Sequence, residues 1–229
     1  MYQGKTMLIT GASNGIGKAI SSYFSNLGMN VIVTYYSNKI DGDNSYYLDL
    51  ADENSIIDLS NEIKDKYGKI DYLINNAAIS LDNYIFDKTK DEFMKVLETN
   101  VVGTFLMMKY LDNIVDGYIF NISSTDGIDT GGIYSADYNA SKAAVNSLTK
   151  TFSLESKNKI ISICPNWVDT ESTREMDKKY LESELKRIKQ DSLISVETIP
   201  QVIADCIRNN ISSGSIIRIE GDKDVRRFN

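Results

Sequence analysis

Short apolar runs alternate along this chain with segments of helical length, and few folds accept such a string. The strand candidates are "KTMLIT" (Lys5–Thr10), "NVIVTY" (Asn30–Tyr35), "SYYLDL" (Ser45–Leu50), "YLINNA" (Tyr72–Ala77), "YIFNIS" (Tyr118–Ser123), "IISIC" (Ile160–Cys164) and "SIIRIE" (Ser215–Glu220). Several are continuous apolar runs, the pattern of parallel strands covered on both faces. Between them lie the helix-length segments Ile16–Leu27, Glu53–Tyr67, Asp91–Asp112, Tyr138–Lys157 and Glu197–Asn209. Strand and helix in strict alternation predict an α/β, doubly wound parallel sheet with helices on both faces.

Two segments depart from that rhythm. Ser37 to Ser45 is the turn-rich "SNKIDGDN", too short for a crossover helix, so the second and third strands are expected to be joined by a bare loop. The charged stretch Asp169–Asp191 follows a strand end and reads as a helical excursion over the sheet, a lid on residues 169–191 of one domain spanning 1–229.

Composition excludes several functions. The chain has 229 residues, 42% of them hydrophobic, enough for one domain with a substantial core. Its net charge of −7 disfavours nucleic acid as a partner, since that needs a basic face. The dense basic pair in "VRRF" near the end reads as a solvated tail. No apolar run approaches membrane-spanning length, and the first residues lead straight into a strand without a leader pattern, so the expected address is the cytoplasm. Cys164 and Cys206 sit in apolar segments and read as small buried hydrophobes. There is no histidine, which rules out a Ser-His-Asp triad and every His-ligated metal site. Proton transfer must then use Asp, Glu, Lys, Tyr, Cys or water, and no metal is expected.

"TGASNGIG" follows the first strand and opens a helix. Gly11, Gly15 and Gly17 suit a tight turn, a close backbone approach to a pyrophosphate and close helix–strand packing. The helix N-terminus then offers amide hydrogens and a positive dipole end to phosphates. The spacing is G-x-x-x-G-x-G rather than G-x-G-x-x-G. At the end of the second strand, where an acidic residue would grasp an adenosine ribose, stands Tyr35, followed by Ser37 and Lys39. A carboxylate there would repel a 2′-phosphate, whereas a hydroxyl and an ammonium accept one. The reading is therefore NADP(H) over NAD(H), with a solvated loop lysine as the competing account of Lys39.

Further motifs follow in order: "NNAA" (Asn75–Ala78), Asn100 in "ETNVVGTF", "NISS" (Asn121–Ser124), "YNASK" (Tyr138–Lys142) and "PNWVDT" (Pro165–Thr170). With the glycine loop they resemble the short-chain dehydrogenase/reductase family in its single-domain form, over about residues 4–221. The resemblance implies a Rossmann-type domain of about seven strands in the order 3-2-1-4-5-6-7. It implies Tyr138 as catalytic acid/base, Lys142 as its partner and a ribose contact, and Asn100 as holder of a relay water. It implies Ser124 as the serine that binds the substrate oxygen, although Thr125 stands at the family's usual distance from the tyrosine. Ser124 is preferred because "ISS" and Gly127 keep their relationship. Around the cofactor the resemblance places Ser13, Asn14 and Ile16 with the glycines. Tyr35, Ser37, Asp49 and Leu50 fall at the adenosine end. Asn76, Ala77, Ala78, Pro165, Val168 and Thr170 fall beside ribose and nicotinamide. Ala78 and Asn166 stand where the family usually has glycine. A homotetramer or homodimer through the segments Asp91–Asp112 and Tyr138–Lys157 is likewise implied.

Tyr138 and Lys142 are four apart and share one helix face. An ammonium about 4 Å from a phenolate, at an effective dielectric near 20, contributes roughly 4 kcal/mol, about three pKa units. The phenol is thus expected near neutrality, where an imidazole would otherwise serve. The implied function is an NAD(P)(H)-dependent oxidoreductase that interconverts a small-molecule carbonyl and an alcohol. The competing reading is a non-catalytic NAD(P)-binding redox sensor on the same fold. The substrate pocket is expected from Ser80–Phe86, Asp126–Tyr134 and Asp169–Asp191, whose aromatics name no compound.

Overall fold

The computed structural model describes residues 1–228. In chain order the elements are β1 (Thr6–Ile9), α1 (Gly15–Asn26), β2 (Asn30–Tyr35), β3 (Ser45–Tyr47), α2 (Glu53–Tyr67), β4 (Ile70–Asn75), α3 (Lys90–Leu97), a π-helical turn (Glu98–Gly103) and α4 (Thr104–Leu111). There follow β5 (Val115–Ile122), a short 3₁₀ turn (Thr125–Gly127), α5 (Ala136–Phe152), β6 (Lys159–Pro165), α6 (Glu171–Arg174), α7 (Lys178–Arg187), α8 (Thr198–Arg208), β7 (Ile216–Gly221) and β8 (Asp224–Phe228). They form an α/β Rossmann-type sheet in the order β3-β2-β1-β4-β5-β6-β7-β8. All neighbours are parallel except β7 and β8.

β8 corrects the reading of "VRRF" as a tail: Val225, Arg226 and Arg227 pair with Ile219, Arg218 and Ile217. Arg226 pairs with Glu220 and Asp224, and Arg227 donates to Ser215 Oγ. Charges on an edge strand blunt further strand addition. The strand is antiparallel because a turn of two residues after Gly221 leaves no room for a crossover.

Each face of the sheet carries its own core. Ile20 and Phe24 of α1 and Ile199 and Ile203 of α8 cover Met7, Ile9, Phe120 and Ile161. On the other face Ile56, Leu59 and Ile63 of α2 and Met107, Met108 and Leu111 of α4 cover Leu8, Ile32, Leu73 and Ile119. This two-sided burial is why the strands read as unbroken apolar runs.

The expected helix Asp91–Asp112 is divided. A capping box starts α3, in which Thr89 accepts from Glu92 N–H and the Glu92 carboxylate accepts from Thr89 N–H. Glu98–Gly103 then widens to π geometry before α4, and Asn100 lies inside that turn. Ser37–Ser45 is the bare loop expected, and 169–191 contains the two short helices α6 and α7.

Candidate active site

The ends of β1, β2, β4, β5 and β6 open onto one cleft of about 1290 Å³. Parallel strands place all their C-terminal ends on one side, and the gap where the sheet order reverses at β1 and β4 makes the crevice.

The glycine loop forms one wall. Gly11 has φ of +67°, and a Cβ there would come within 2.8 Å of the Ala77 Cβ. A Cβ on Gly17 would overlap the Gly11 carbonyl oxygen and come within 2.6 Å of Asn76 Nδ2. Glycine is therefore required at 11 by backbone sign and at 17 by close approach. Asn76 Nδ2 donates to the carbonyls of Thr10 (3.0 Å) and Gly11 (2.9 Å), while Thr10 Oγ1 accepts from the Asn76 and Ala77 amides, both at 3.0 Å. Thr10 is a support that sequence reasoning missed, because its role is set by contact with β4.

The entrance to α1 fits a pyrophosphate. Asn14 at its N-cap makes no side-chain cap bond, and the first turn has no acidic residue. The positive end of the helix thus faces the cleft without a protein anion. Ser13, Asn14, Gly15 and Ile16 line this part; Gly17 lies behind it as packing.

Tyr35, Ser37, Asp49 and Leu50 line the far end with Tyr36 and Asn38. The Tyr35 ring meets Tyr47 edge-on at 6.2 Å. Ser13 Oγ donates to the Asn38 carbonyl at 2.8 Å, tying the glycine loop to the loop after β2. Lys39 is exposed on that loop.

At the opposite end stand Ser124, Tyr138 and Lys142, with Asn76, Ala77, Ala78, Pro165, Val168 and Thr170 between. Thr170 caps α6 by accepting from Thr173 N–H. Tyr138 is half-buried and Lys142 almost wholly buried. Lys142 Nζ donates to the Ile122 carbonyl at 2.8 Å and sits 5.3 Å from the Tyr138 ring centroid. Ser123 Oγ donates to the Lys142 carbonyl, so the first serine of the pair is spent on α5. Ser124 Oγ accepts from the Asp126 amide at 3.0 Å and lies within reach of the Tyr138 phenol, whose anion it favours.

The electrostatics correct one expectation. The Tyr138 phenol is raised above its ordinary range, by burial first and by the nearby Asp126 carboxylate second. Lys142 is not among the groups that set it. Its ammonium is held by a backbone carbonyl instead of the phenol oxygen, and burial pushes Lys142 down to about 8. Without a dinucleotide, Tyr138 is therefore a protonated acid at neutral pH.

Asn100 stands outside the cleft, buried behind it. Its Oδ1 accepts from the Ile79 amide and its Nδ2 donates to the Ile79 carbonyl, both at 2.8 Å, and to Ser141 Oγ at 3.1 Å. The π turn aims this side chain at Ile79 and α5 together. The first asparagines of two motifs, Asn75 and Asn121, are partners across β4 and β5, joined at 2.8 Å and buried. They hold the sheet centre and do not line the cleft.

A family profile for short chain dehydrogenases matches residues 5–181. The chain belongs to that family. The 3-oxoacyl-[acyl-carrier-protein] reductase FabG of Thermotoga maritima is 31% identical to this short-chain dehydrogenase over 96% of its chain and 97% of the reductase. Glucose 1-dehydrogenase 2 of Bacillus subtilis is 29% identical over 82% of this chain and 80% of its own. The solved structure of ElxO with NADP bound superposes with a TM-score of 0.80 at 28% identity, over 96% of this chain and 98% of that one. The ligand-free aldohexose dehydrogenase of Thermoplasma acidophilum shares the fold, with a TM-score of 0.83 at 23% identity over 95% and 93% of the two chains. This short-chain dehydrogenase is thus an NAD(P)-dependent oxidoreductase. Among the described residues, no helix is long and apolar enough to cross a membrane.

Proposed function

We propose that this enzyme interconverts a carbonyl and an alcohol with Tyr138 as the acid/base, and that it takes NADP(H) in preference to NAD(H). The observation that carries the reading is the convergence of Ser124, Tyr138 and Lys142 at one end of the cleft that the glycine loop walls. When bound, the dinucleotide supplies hydride to the carbonyl carbon or accepts it back.

Ser124 donates a hydrogen bond to the substrate oxygen and fixes the carbonyl beside Tyr138. Tyr138, protonated in the free enzyme, gives its proton to that oxygen in reduction and recovers it in oxidation. Lys142 places a buried ammonium 5.3 Å from the phenol ring centroid and is the group that would bind the nicotinamide ribose hydroxyls. Asn100 positions this machinery through Ser141 and the Ile79 backbone. Residues 169–191 act as the lid, bringing Met176, Tyr180 and Ile188 over the substrate end. At the adenosine end, Ser37 and Asn38 present neutral donors, Lys39 follows on the same loop, and no carboxylate lies between Tyr35 and Lys39.

Tyr138→Phe tests the reading. Turnover followed at the nicotinamide absorbance over a carbonyl panel is expected to fall by on the order of a thousandfold, with NADPH affinity retained. Retained turnover overturns the role of Tyr138. Tight NADPH binding by the wild-type chain without turnover of any carbonyl favours the redox sensor.

A further inference from the structure

The substrate end of the cleft contains a carboxylate that the steps above leave unused. Asp126 follows Ser124 by two residues and lines the cleft beside Tyr138, with its own amide donating to Ser124 Oγ. Its Oδ1 accepts from Thr130 Oγ1 at 2.8 Å. A carboxylate offers about four acceptor positions, so the Thr130 hydroxyl leaves acceptor capacity toward the cleft. Ser124, Thr130, Arg187 and Glu184 are the polar and charged neighbours that act on Asp126.

This carboxylate bears on which carbonyl compound can bind. Arg187 of α7 donates to the Thr130 carbonyl at 2.7 Å and pairs with Glu184, so it braces the loop instead of pointing a free cation at the substrate. Lys142 is committed to the Ile122 carbonyl. Asp82, bonded by Ser80, adds a second negative charge at the same end. At this end an anionic substrate would meet two carboxylates, while the nearby cations Arg187 and Lys142 are already committed to other partners. A cationic one is not required, because the Asp126 carboxylate already accepts from Thr130 and has the Arg187–Glu184 pair nearby. A neutral hydrogen-bond donor close to the reacting carbon satisfies the site at the least desolvation cost. Trp167, Tyr180 and Met176 then provide apolar walls for the rest of the molecule.

We infer that Asp126 is the specificity-determining residue of this enzyme and that its substrate is a neutral carbonyl compound bearing a hydroxyl on the carbon next to the carbonyl. The Asp126 carboxylate accepts from that hydroxyl while Ser124 and Tyr138 hold the carbonyl oxygen. Reduction takes hydride from NADPH and the Tyr138 proton, and yields a vicinal diol and NADP⁺. This assignment rests on the Tyr138–Ser124 reading of the site.

The test compares 1-hydroxy-2-hexanone, 2-hexanone and 2-oxohexanoate with the full chain and NADPH. The wild type is expected to favour the hydroxyketone over 2-hexanone by about tenfold or more in kcat/KM, because a site built for a hydroxyl is left unpaired by the analogue lacking it. 2-Oxohexanoate is expected to be the poorest. In Asp126→Ala the hydroxyketone-to-ketone ratio falls towards unity, chiefly through KM. Asp126→Asn, which keeps one acceptor oxygen, lies between. Asp129→Asn, on the same loop but paired with Arg218 outside the cleft, keeps the wild-type ratio. If Asp126→Ala does not fold, the near-isosteric Asn variant decides. A wild type that ignores the hydroxyl, a preference for 2-oxohexanoate, or a ratio unchanged in Asp126→Asn overturns the assignment. Saturation-transfer NMR of the three compounds, with and without NADP⁺, separates the two readings. Hydroxyl-dependent binding lost in Asp126→Ala, without turnover of any compound, supports Asp126 and counts against the acid/base role of Tyr138. Turnover and binding both indifferent to the hydroxyl overturn the assignment and leave Tyr138 standing.

Discussion

Lys142 is the residue whose surroundings differ most from what its spacing suggests. Four residues from Tyr138, it reads as an ammonium aimed at a phenol; in the fold it is a buried cation bound to a carbonyl of β5. Burial holds it down to about 8 against an ordinary 10.5. The unfolded chain then binds more protons than the folded one between those two values, so this group makes stability rise with pH across that window. The cost at neutral pH is about 3 kcal/mol, from roughly 2.5 pKa units at about 1.4 kcal/mol each. Lys142→Met is accordingly expected to lose activity. In urea melts without cofactor, its difference from wild type should change across pH 8 to 10.5, the wild type gaining on the variant. A difference curve flat in pH contradicts the buried cation. At the other end of the cleft, Lys39→Glu is expected to weaken NADP⁺ several-fold while leaving NAD⁺ little changed, as titration calorimetry would read. Equal loss for both dinucleotides would sink the 2′-phosphate reading.

Between elements, the ion pair of Lys88 and Asp137 governs how the substrate loop meets α5. Its side chains are 3% and 0% exposed and 2.9 Å apart. Lys88 Nζ also donates to the Leu81 carbonyl, and Asp137 Oδ1 accepts from the Tyr138 amide. The pair therefore fastens residues 81–88 to the turn that carries Tyr138. Removing one partner of a buried pair costs about 3–5 kcal/mol, because the other charge is left alone, whereas an apolar replacement of both is often near neutral. Lys88→Met is expected to lower the thermal midpoint markedly, and Lys88→Met with Asp137→Leu to recover much of the loss in the same melts. No recovery would mean that the charges are needed for more than each other. The pair was not legible in the sequence, since its members lie 49 positions apart and neither belongs to a motif. The π turn was equally hidden: Asp91–Asp112 has continuous helical periodicity, and only Asn100, bound to Ile79 and Ser141, reveals the widening.

At the scale of the molecule, α3, the π turn and α4 leave apolar side chains in solvent. Met94 is 51% exposed, Val102 46% and Phe105 37%, with Phe105 edge-on to Phe152 of α5 at 5.9 Å. Exposed apolar side chains grouped in this way favour burial against another copy of the chain. The chain is expected to scatter light as a dimer or tetramer, and Val102→Glu with Phe105→Glu to shift it to the monomer mass. A wild-type monomer at micromolar concentration would remove the assembly from consideration.

The order of strands and the glycine loop were readable because each is a local matter. Period and run length decide strand or helix, and a glycine at a tight turn announces itself. The motif residues were equally readable, and most of them line one cleft; Gly17, Asn75, Asn100 and Asn121 stand behind it. What the chain order cannot express is the direction of a side chain after folding. The commitment of Lys142 to Ile122, the protonated state of Tyr138 and the approach of Asp126 to both Ser124 and Tyr138 arise only when α5 is laid against β5. β8 is a like case, since "VRRF" becomes a strand only because β7 offers it an edge. Sequence alone determined the fold and the residue types at the site; tertiary contact, through burial and the partners it assigns, decided their charge states and what each is free to bind.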